Sequence, residues 1–192
     1  MTRKQTQTFT LLLHGADPMT KDNMRALERA GCNDALFGRR GTVSYADFDR
    51  EADSFGEAVL SAIHDVESSV PGLKVTRVEP EELVSASQIA VRTKRTRESI
   101  RLLIEGRRGP GNFPAPAVWL NSSRKLWRWT DIADWFTTSL ESPVSDVQTA
   151  AFVASVNAAL ALRRHSALLA PGRSKTQLAR LLAEDVDLLK VG

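Results

Sequence analysis

The chain has 192 residues, 42% hydrophobic and 26% charged, which is the usual composition of a soluble globular protein. It contains no apolar run of the roughly 18 residues that span a membrane, and the run from Phe9 to Leu13 is too short for a secretory signal. A cytoplasmic location is therefore expected. The single cysteine, Cys32, excludes an internal disulfide and a multi-cysteine zinc site.

Charge is distributed unevenly along the chain. Residues 1–91 carry a net charge of −4 and residues 129–192 a net −1, whereas residues 92–128 contain 10 Lys or Arg and 2 Asp or Glu, a net +8. A segment of that density attracts polyanions through Coulomb steering and counterion release, although it can also be only a solvated surface.

The first 79 residues predict the element order β-α-β-β-α-β. Thr20 is expected to begin the first helix, and Asp53 or Ser54 the second. Met24, Leu27 and Ala30 would share the buried face of the first helix. Strands are expected at 6–13, 33–38, 42–49 and 73–78, and helices at 21–30 and from 55 onward. A hairpin loop is expected at 38–41, between the second and third strands. This order is typical of a ferredoxin-like sheet with two helices on one face.

No catalytic constellation is found in this first domain. Asp47, Asp49, Glu51 and Asp53 alternate with Ala46, Phe48, Arg50 and Ala52. Spaced carboxylates can bind a divalent cation, but the pattern favours the solvent face of an edge strand. His14 and His64 are isolated, and Cys32 has no activating neighbour, which indicates a partly buried structural side chain. We expect no enzyme, no metal site and no cofactor.

The basic segment begins with two short helices around a tight turn. Ser85 and Gln88 have the spacing of a capping box, so a helix is predicted from residue 86. The basic stretch 92–95 breaks the apolar period, and Thr96 is expected to cap a second helix that ends at Gly106. Ile100, Leu103 and Ile104 would face a core. The polar face and positive N-terminus of the second helix could then enter a DNA major groove.

A β-hairpin, or wing, and a last helix are predicted after these two helices. The turn-rich segment 109–116 leads to strands expected at 118–120 and 126–129, followed by a helix at 131–136 that Thr130 caps. All four tryptophans lie here, and we expect most of them, above all Trp129 and Trp135, to form a small core. The orientation of Trp127 is left open.

These segments resemble the winged helix-turn-helix of the MerR/excisionase superfamily, in particular the AlpA-like regulators. The resemblance rests on Leu83 to Ala90, on the arginine-rich second helix, on 109–116, and on the run from Leu126 to Trp135, and it covers about 55 residues. It implies insertion of the second helix into a DNA groove and contact of the wing with the DNA backbone. Unlike MerR proteins, this chain places another domain before the module.

The proposed DNA contacts divide by their expected role. Base contacts are expected from Arg97, Glu98 and Arg101. Phosphate contacts are expected from Arg92, Lys94, Arg95, Thr96, Arg107, Arg108, Arg124 and Lys125, and Ser87 and Arg128 complete the proposed surface. Thr93 is a further hydroxyl that could donate to phosphate.

Two helices are predicted beyond Pro143. A long Ala/Leu-rich helix is expected at about 146–169, with a stripe formed by Phe152, Val156, Ala159 and Leu160. It could pack on its own domain or pair with a second copy. A short final helix is expected near 175–189, with Ser174 as its expected cap. The predicted organisation is thus a ferredoxin-like α+β domain (1–79), a winged helix-turn-helix (80–141) and a C-terminal helical segment (142–192) that could mediate dimerisation.

The sequence therefore predicts a protein that binds double-stranded DNA sequence-specifically and acts as a homodimer. The favoured role is that of a bacterial transcriptional regulator associated with the nucleoid. Two alternatives stay open. One is an architectural factor of the excisionase-like, partition or filament-forming kind. The other is an antitoxin or defence accessory protein whose N-terminal domain binds a protein partner.

Overall fold

A computed structural model describes residues 4–79, 83–118, 125–142 and 147–188 as a mixed α+β protein. The strands are β1 (Gln5–Gly15), β2 (Ala35–Arg40), β3 (Val43–Ala52), β4 (Leu73–Glu79), β5 (Leu83–Val84) and β6 (Trp127–Arg128). The helices are α1 (Lys21–Arg29), α2 (Phe55–Ser69), α3 (Ala86–Arg92), α4 (Arg97–Ile104), α5 (Trp129–Thr138), α6 (Val147–Ser166) and α7 (Arg173–Leu188). None of the helices in these ranges is long and apolar enough to cross a membrane.

Residues 4–79, the sheet unit, form a four-stranded antiparallel sheet in the order β2-β3-β1-β4. Alternation along β1 buries Phe9, Leu11 and Leu13, and these side chains pack in one core with the apolar face of α2. The predicted caps of both helices are confirmed, because the hydroxyls of Thr20 and Ser54 accept hydrogen bonds from the first turns of α1 and α2.

Three local predictions in the sheet unit are wrong. The hairpin turn lies at residues 41–42 rather than 38–41, because β2 continues to Arg40. The second strand starts two residues late, since Cys32–Asp34 forms a 3-10 turn after the left-handed Gly31. Met24 is 42% exposed and does not share the buried face of Leu27.

The acidic stripe of β3 belongs to an interior strand, not to an edge strand as expected. β3 lies between β2 and β1, and Asp47 and Asp49 project from the face of the sheet that none of the described helices covers. There they accept hydrogen bonds from Thr10 (2.6 Å) and Thr8 (2.8 Å) of β1. In the described ranges, no group of three or more His, Cys, Asp or Glu residues is arranged to hold a metal ion.

Arg50 of β3 is turned toward the helices and is buried. Its guanidinium donates to Asp34 (2.8 and 3.2 Å), Asp65 (2.8 Å), Ser61 (3.0 Å) and the carbonyl oxygen of Gly31 (3.1 Å). This arginine therefore links the sheet to α2 and to the turn after α1. A buried charge is tolerated only when it is paired in this way.

Cys32 lies close to this cluster and is buried, more completely than expected. Burial and, to a smaller extent, the nearby Asp65 carboxylate together raise the pKa of its thiol to about 11. Because the thiolate is the reactive form and the raised pKa disfavours it, the Cys32 side chain contributes to packing rather than to chemistry.

Helix α6 closes the β4 edge of the sheet. The carboxamide of Asn157 accepts from the Val78 amide (2.7 Å) and donates to the Val78 carbonyl oxygen (2.9 Å), as a neighbouring strand would. Arg163 donates to the Val75 carbonyl oxygen (2.8 Å) and pairs with Glu67, which accepts from the Val75 amide. Burial would raise the pKa of Glu67, but the hydrogen bonds from Arg163 and Val75 outweigh it and hold this pKa below its usual value. The helix thus packs on the sheet unit of its own chain rather than on the C-terminal segment alone.

The same helix contacts a second, separate core. Residues 83–142, the basic unit, bury an apolar cluster against which Val147 and Ala150 of α6 pack, while Val153 and Leu160 lie in the core of the sheet unit. Ala159, which was expected on the apolar stripe, is exposed. In the final helix α7, Leu181 is 56% exposed, and Leu178 and Leu182 are half-buried.

Candidate nucleic-acid interface

Helices α3 and α4 begin where the sequence predicts. Ser85 and Gln88 form the capping box of α3, with the Ser85 hydroxyl accepting from the Gln88 amide and the Gln88 carboxamide accepting from the Ser85 amide (2.8 Å). The Thr96 hydroxyl accepts from the Ser99 amide (3.1 Å) at the start of α4. Ile89, Ile100 and Leu103 are buried, which holds the two helices against a shared core.

A four-residue turn, 93–96, separates the two helices. The Arg95 amide donates to the Ala90 carbonyl oxygen and the Lys94 amide to that of Val91, the hydrogen-bond pair of a Schellman motif. Lys94 occupies the left-handed position of this motif with a φ of 53°. Thr93 is buried and its hydroxyl donates to the Ile89 carbonyl oxygen (2.8 Å), so the expected donation from Thr93 to a ligand is wrong.

The conformation of Lys94 leads to a stability prediction. A side chain with a Cβ is strained at positive φ by about 1–2 kcal/mol, and glycine is not. We expect Lys94→Gly to be more stable than Lys94→Ala by about 1 kcal/mol in urea unfolding, although both remove the same charge. Equal stabilities of the two variants would contradict the left-handed conformation of this turn.

Helix α4 exposes a charged face whose arginine at position 101 is already paired. Arg101 donates to Glu98 (2.6 and 2.9 Å) and to Glu105 (2.6 and 2.8 Å). The hydrogen bonds and charge of Arg101 hold the pKa of Glu98 below its usual value, and the two carboxylates raise the pKa of Arg101. Arg101 must leave these carboxylates before it can contact any ligand, whereas Arg97 makes no hydrogen bond or ion pair within the described ranges.

Two of the predicted phosphate ligands lie over aromatic rings of the basic-unit core. The guanidinium carbon of Arg92 is 4.9 Å from the centre of the Trp129 ring, and that of Arg95 is 5.4 Å from the centre of the Phe136 ring. Both arginines are half-buried. Such cation–π contacts stabilise the fold while the positive charge still contributes to the surrounding field.

The other predicted contacts lie around the two ends of α4. Arg97 and Lys94 are exposed near its N-terminus, and Arg107 and Arg108 are exposed after its C-terminus, where Arg107 also contacts Glu105 (3.3 Å). Thr96 is exposed, and Ser87 is half-buried in the first turn of α3. Lys125 is exposed just before β6, and Arg128 is an exposed residue of β6. Arg124 lies outside the described residues.

The predicted wing differs in its pairing. Val118 and Leu126 form an isolated antiparallel bridge, but β6 pairs with β5, with Leu83 opposite Arg128 and Val84 opposite Trp127. Trp129 belongs to α5 rather than to a strand, and the helix begins after Arg128, so the expected cap at Thr130 is wrong. Residues 119–124, including Trp119 and the expected tip, lie outside the described residues.

The tryptophans at 127, 129 and 135 are buried, as most of them were expected to be. Trp127 and Trp135 donate through Nε1 to the carbonyl oxygens of Pro114 (3.0 Å) and Gly111 (3.1 Å). Phe113 packs edge-to-face against both rings. The turn-rich segment 109–116 is therefore fixed to α5 by its own aromatic residue.

Sequence reasoning missed the roles of Phe113 and Glu105. The positions of Glu98, Arg101 and Glu105, three and four residues apart on one helix, are a recognisable ion-pair spacing and could have indicated the pairing of Arg101. Nothing comparable marks Phe113, because its contacts depend on how the loop folds back. The chain has no significant match among family models, curated proteins or solved structures.

Proposed function

We propose that the basic unit binds double-stranded DNA as a winged helix-turn-helix, with α4 entering the major groove and the segment around Lys125 contacting the backbone. The observation that carries the proposal is the exposed N-terminus of α4, presented by a short fixed turn and flanked by Lys94, Arg95 and Arg97. Positive side chains and helix N-termini are the groups that bind phosphate and orient a recognition helix.

The pairing of Arg101 changes how base contacts are assigned within this proposal. Arg97 is the first candidate for a base contact because no described group competes for it. Arg101 would have to exchange a carboxylate for a base, and its release would leave Glu98 able to accept from a cytosine amino group. Arg107, Arg108, Arg128 and Lys125 would contact phosphates on either side of α4.

We further propose that the chain is a bacterial transcriptional regulator that binds DNA as a homodimer, and that the sheet unit has the ferredoxin-like arrangement. The strand order β2-β3-β1-β4 with the element order β-α-β-β-α-β supports that arrangement. Helix α6 contacts both cores and would hold the sheet unit in a defined position relative to the basic unit.

The test is binding of fluorescent duplexes, first selected from a random pool, across a series of salt concentrations. We expect Arg97→Gln to weaken binding to the selected site by about 1–3 kcal/mol and binding to random DNA by less. Arg108→Gln should weaken both equally and lower the slope of log K against log salt by about 0.9. The matched control is Arg164→Gln, which removes an exposed arginine of α6 outside the basic unit.

Losses that are no larger for Arg97→Gln and Arg108→Gln than for Arg164→Gln would remove the basic unit from the DNA interface. Salt-dependent binding without any preference for the selected site, accompanied by DNA bending or cooperative coating, would replace the regulator with an architectural factor.

A further inference from the structure

The sheet has one closed edge and one open edge. At β4, side chains from α2 and α6 satisfy the backbone groups of Val75 and Val78. At the other edge, β2 pairs only with β3, and no other described strand lies beside it. An open edge presents unpaired N–H and C=O groups that can pair with another chain.

The turn at 41–42 determines which groups of β2 face outward. It is a two-residue hairpin turn with Gly41 at positive φ, closed by the pair Arg40 and Val43. In such hairpins the closing pair exchanges both hydrogen bonds. Because hydrogen-bonded and non-hydrogen-bonded pairs alternate along an antiparallel ladder, the N–H and C=O groups of Leu36, Gly38 and Arg40 point toward β3. The backbone groups of Ala35, Phe37 and Arg39 face outward.

Apolar side chains lie on both sides of this edge. On the uncovered face of the sheet Leu36 is 68% exposed. On the helix side Phe37 and Met24 line a groove between β2 and α1. The ring of Tyr45 covers Gly38, where an added Cβ would lie 2.6 Å from the Tyr45 Cζ. Backbone groups and apolar contacts are therefore available together along the same six residues.

We propose that β2 pairs antiparallel with β2 of a second copy of the chain, with Phe37 at the two-fold axis, to form a continuous eight-stranded sheet. Outward-facing residues pair with outward-facing residues, so Ala35 lies opposite Arg39 and Leu36 opposite Gly38 of the other copy. Because the ring of Tyr45 lies over Gly38, the exposed Leu36 of one copy packs against that ring in the other copy. The two Phe37 rings meet on the helix side.

The distribution of charge along β2 supports pairing with a second copy of this chain rather than with another protein. Asp34, directly before the first residue of β2, shares the cation of Arg50 with Asp65, so this end of the strand carries a net negative charge. At the other end Arg39 is paired with Asp17 (3.0 Å), and Arg40 is exposed. The antiparallel register brings the basic end of one strand beside the acidic start of the other, once on each side of the axis. Opposite charges across strands stabilise a ribbon, and like charges destabilise it.

This inference deepens the homodimer of the proposed function and does not require DNA binding. It is tested on the full chain without DNA by sedimentation equilibrium over a wide concentration range. Leu36→Lys should raise the dimer dissociation constant by about tenfold or more, since it places a charge over Gly38 and Tyr45 of the other copy. Leu60→Lys, which replaces a 53% exposed leucine of α2, is the matched control and should leave the dimer unchanged.

Hydrogen exchange gives a second readout at residue resolution. At concentrations where the dimer forms, the amides of Ala35, Phe37 and Arg39 should become protected, and in Leu36→Lys they should lose that protection. The amides that face β3 should stay protected in both. A monomer throughout, a dimer that Leu36→Lys does not weaken, or outward amides that remain unprotected would each overturn the proposal. DNA affinity of the monomeric variant is measured separately and reports on the basic unit alone.

Discussion

Replacing Arg50 by methionine is expected to lower the free energy of unfolding by about 2–4 kcal/mol, the range for removing one partner of a buried charge cluster. Methionine keeps most of the apolar stem but removes the donors to Asp34, Asp65, Ser61 and the Gly31 carbonyl oxygen. The side chains of Asp34 and Asp65 are 26% and 25% exposed. Water can therefore solvate part of the charge that Arg50 leaves unpaired, and the expected loss is smaller than for a fully buried ion pair.

The measurement is urea unfolding followed by far-ultraviolet circular dichroism. Arg25→Met, on the exposed side of α1, is the control and should change stability by less than about 0.5 kcal/mol. All four tryptophans lie at 119–135, so selectively excited tryptophan fluorescence reports on the basic unit alone. Because α6 packs on both cores, we expect Arg50→Met to shift the fluorescence transition as well. A loss below about 1 kcal/mol would mean that the aspartates are solvated well enough to tolerate the missing cation.

Replacing Trp135 by alanine is expected to destabilise the basic unit by about 3–5 kcal/mol, the usual cost of removing a large buried aromatic side chain. The ring packs edge-to-face against Phe113 (5.0 Å between ring centres) and Phe136 (5.3 Å), and its Nε1 donates to the Gly111 carbonyl oxygen. The alanine variant should therefore also release the segment 109–116, which limited proteolysis would detect.

Trp135→Phe separates packing from hydrogen bonding. Phenylalanine keeps a ring between Phe113 and Phe136 but cannot donate to Gly111, and we expect it to lose only about 1–2 kcal/mol. If the two variants were equally destabilised, the hydrogen bond rather than the packing would dominate this site. If neither variant were destabilised, α5 would not form the core of the basic unit.

Local chemistry in the sequence predicted much of the basic unit. The spacing of Ser85 and Gln88 and the hydroxyl of Thr96 determine where α3 and α4 begin, because capping involves atoms only a few residues apart. The pairing of β6 was not predictable in the same way. Leu83 and Val84 are about forty residues away from Trp127 and Arg128 along the chain, and only the folded unit brings them together.

The same distinction applies to charge. The net charge of +8 over residues 92–128 can be read directly from the sequence. The sequence pattern also predicted that Arg92, Arg95 and Arg101 contact DNA. In the folded chain Arg92 and Arg95 lie over aromatic rings and Arg101 is paired with two carboxylates. The candidate interface is therefore narrower than the charge distribution, and its exposed cations are Lys94, Arg97, Arg107, Arg108, Lys125 and Arg128.

By itself the sequence determined the element order of residues 4–79, the caps of four helices and the position of the basic segment, since each depends on neighbouring side chains and on hydrophobic periodicity. Only the tertiary structure decided that β3 is an interior strand, that Arg50 is buried, that Asn157 closes the β4 edge and that β2 stays open. These features depend on contacts between residues far apart in the chain, and no local pattern encodes which strand becomes the neighbour of which.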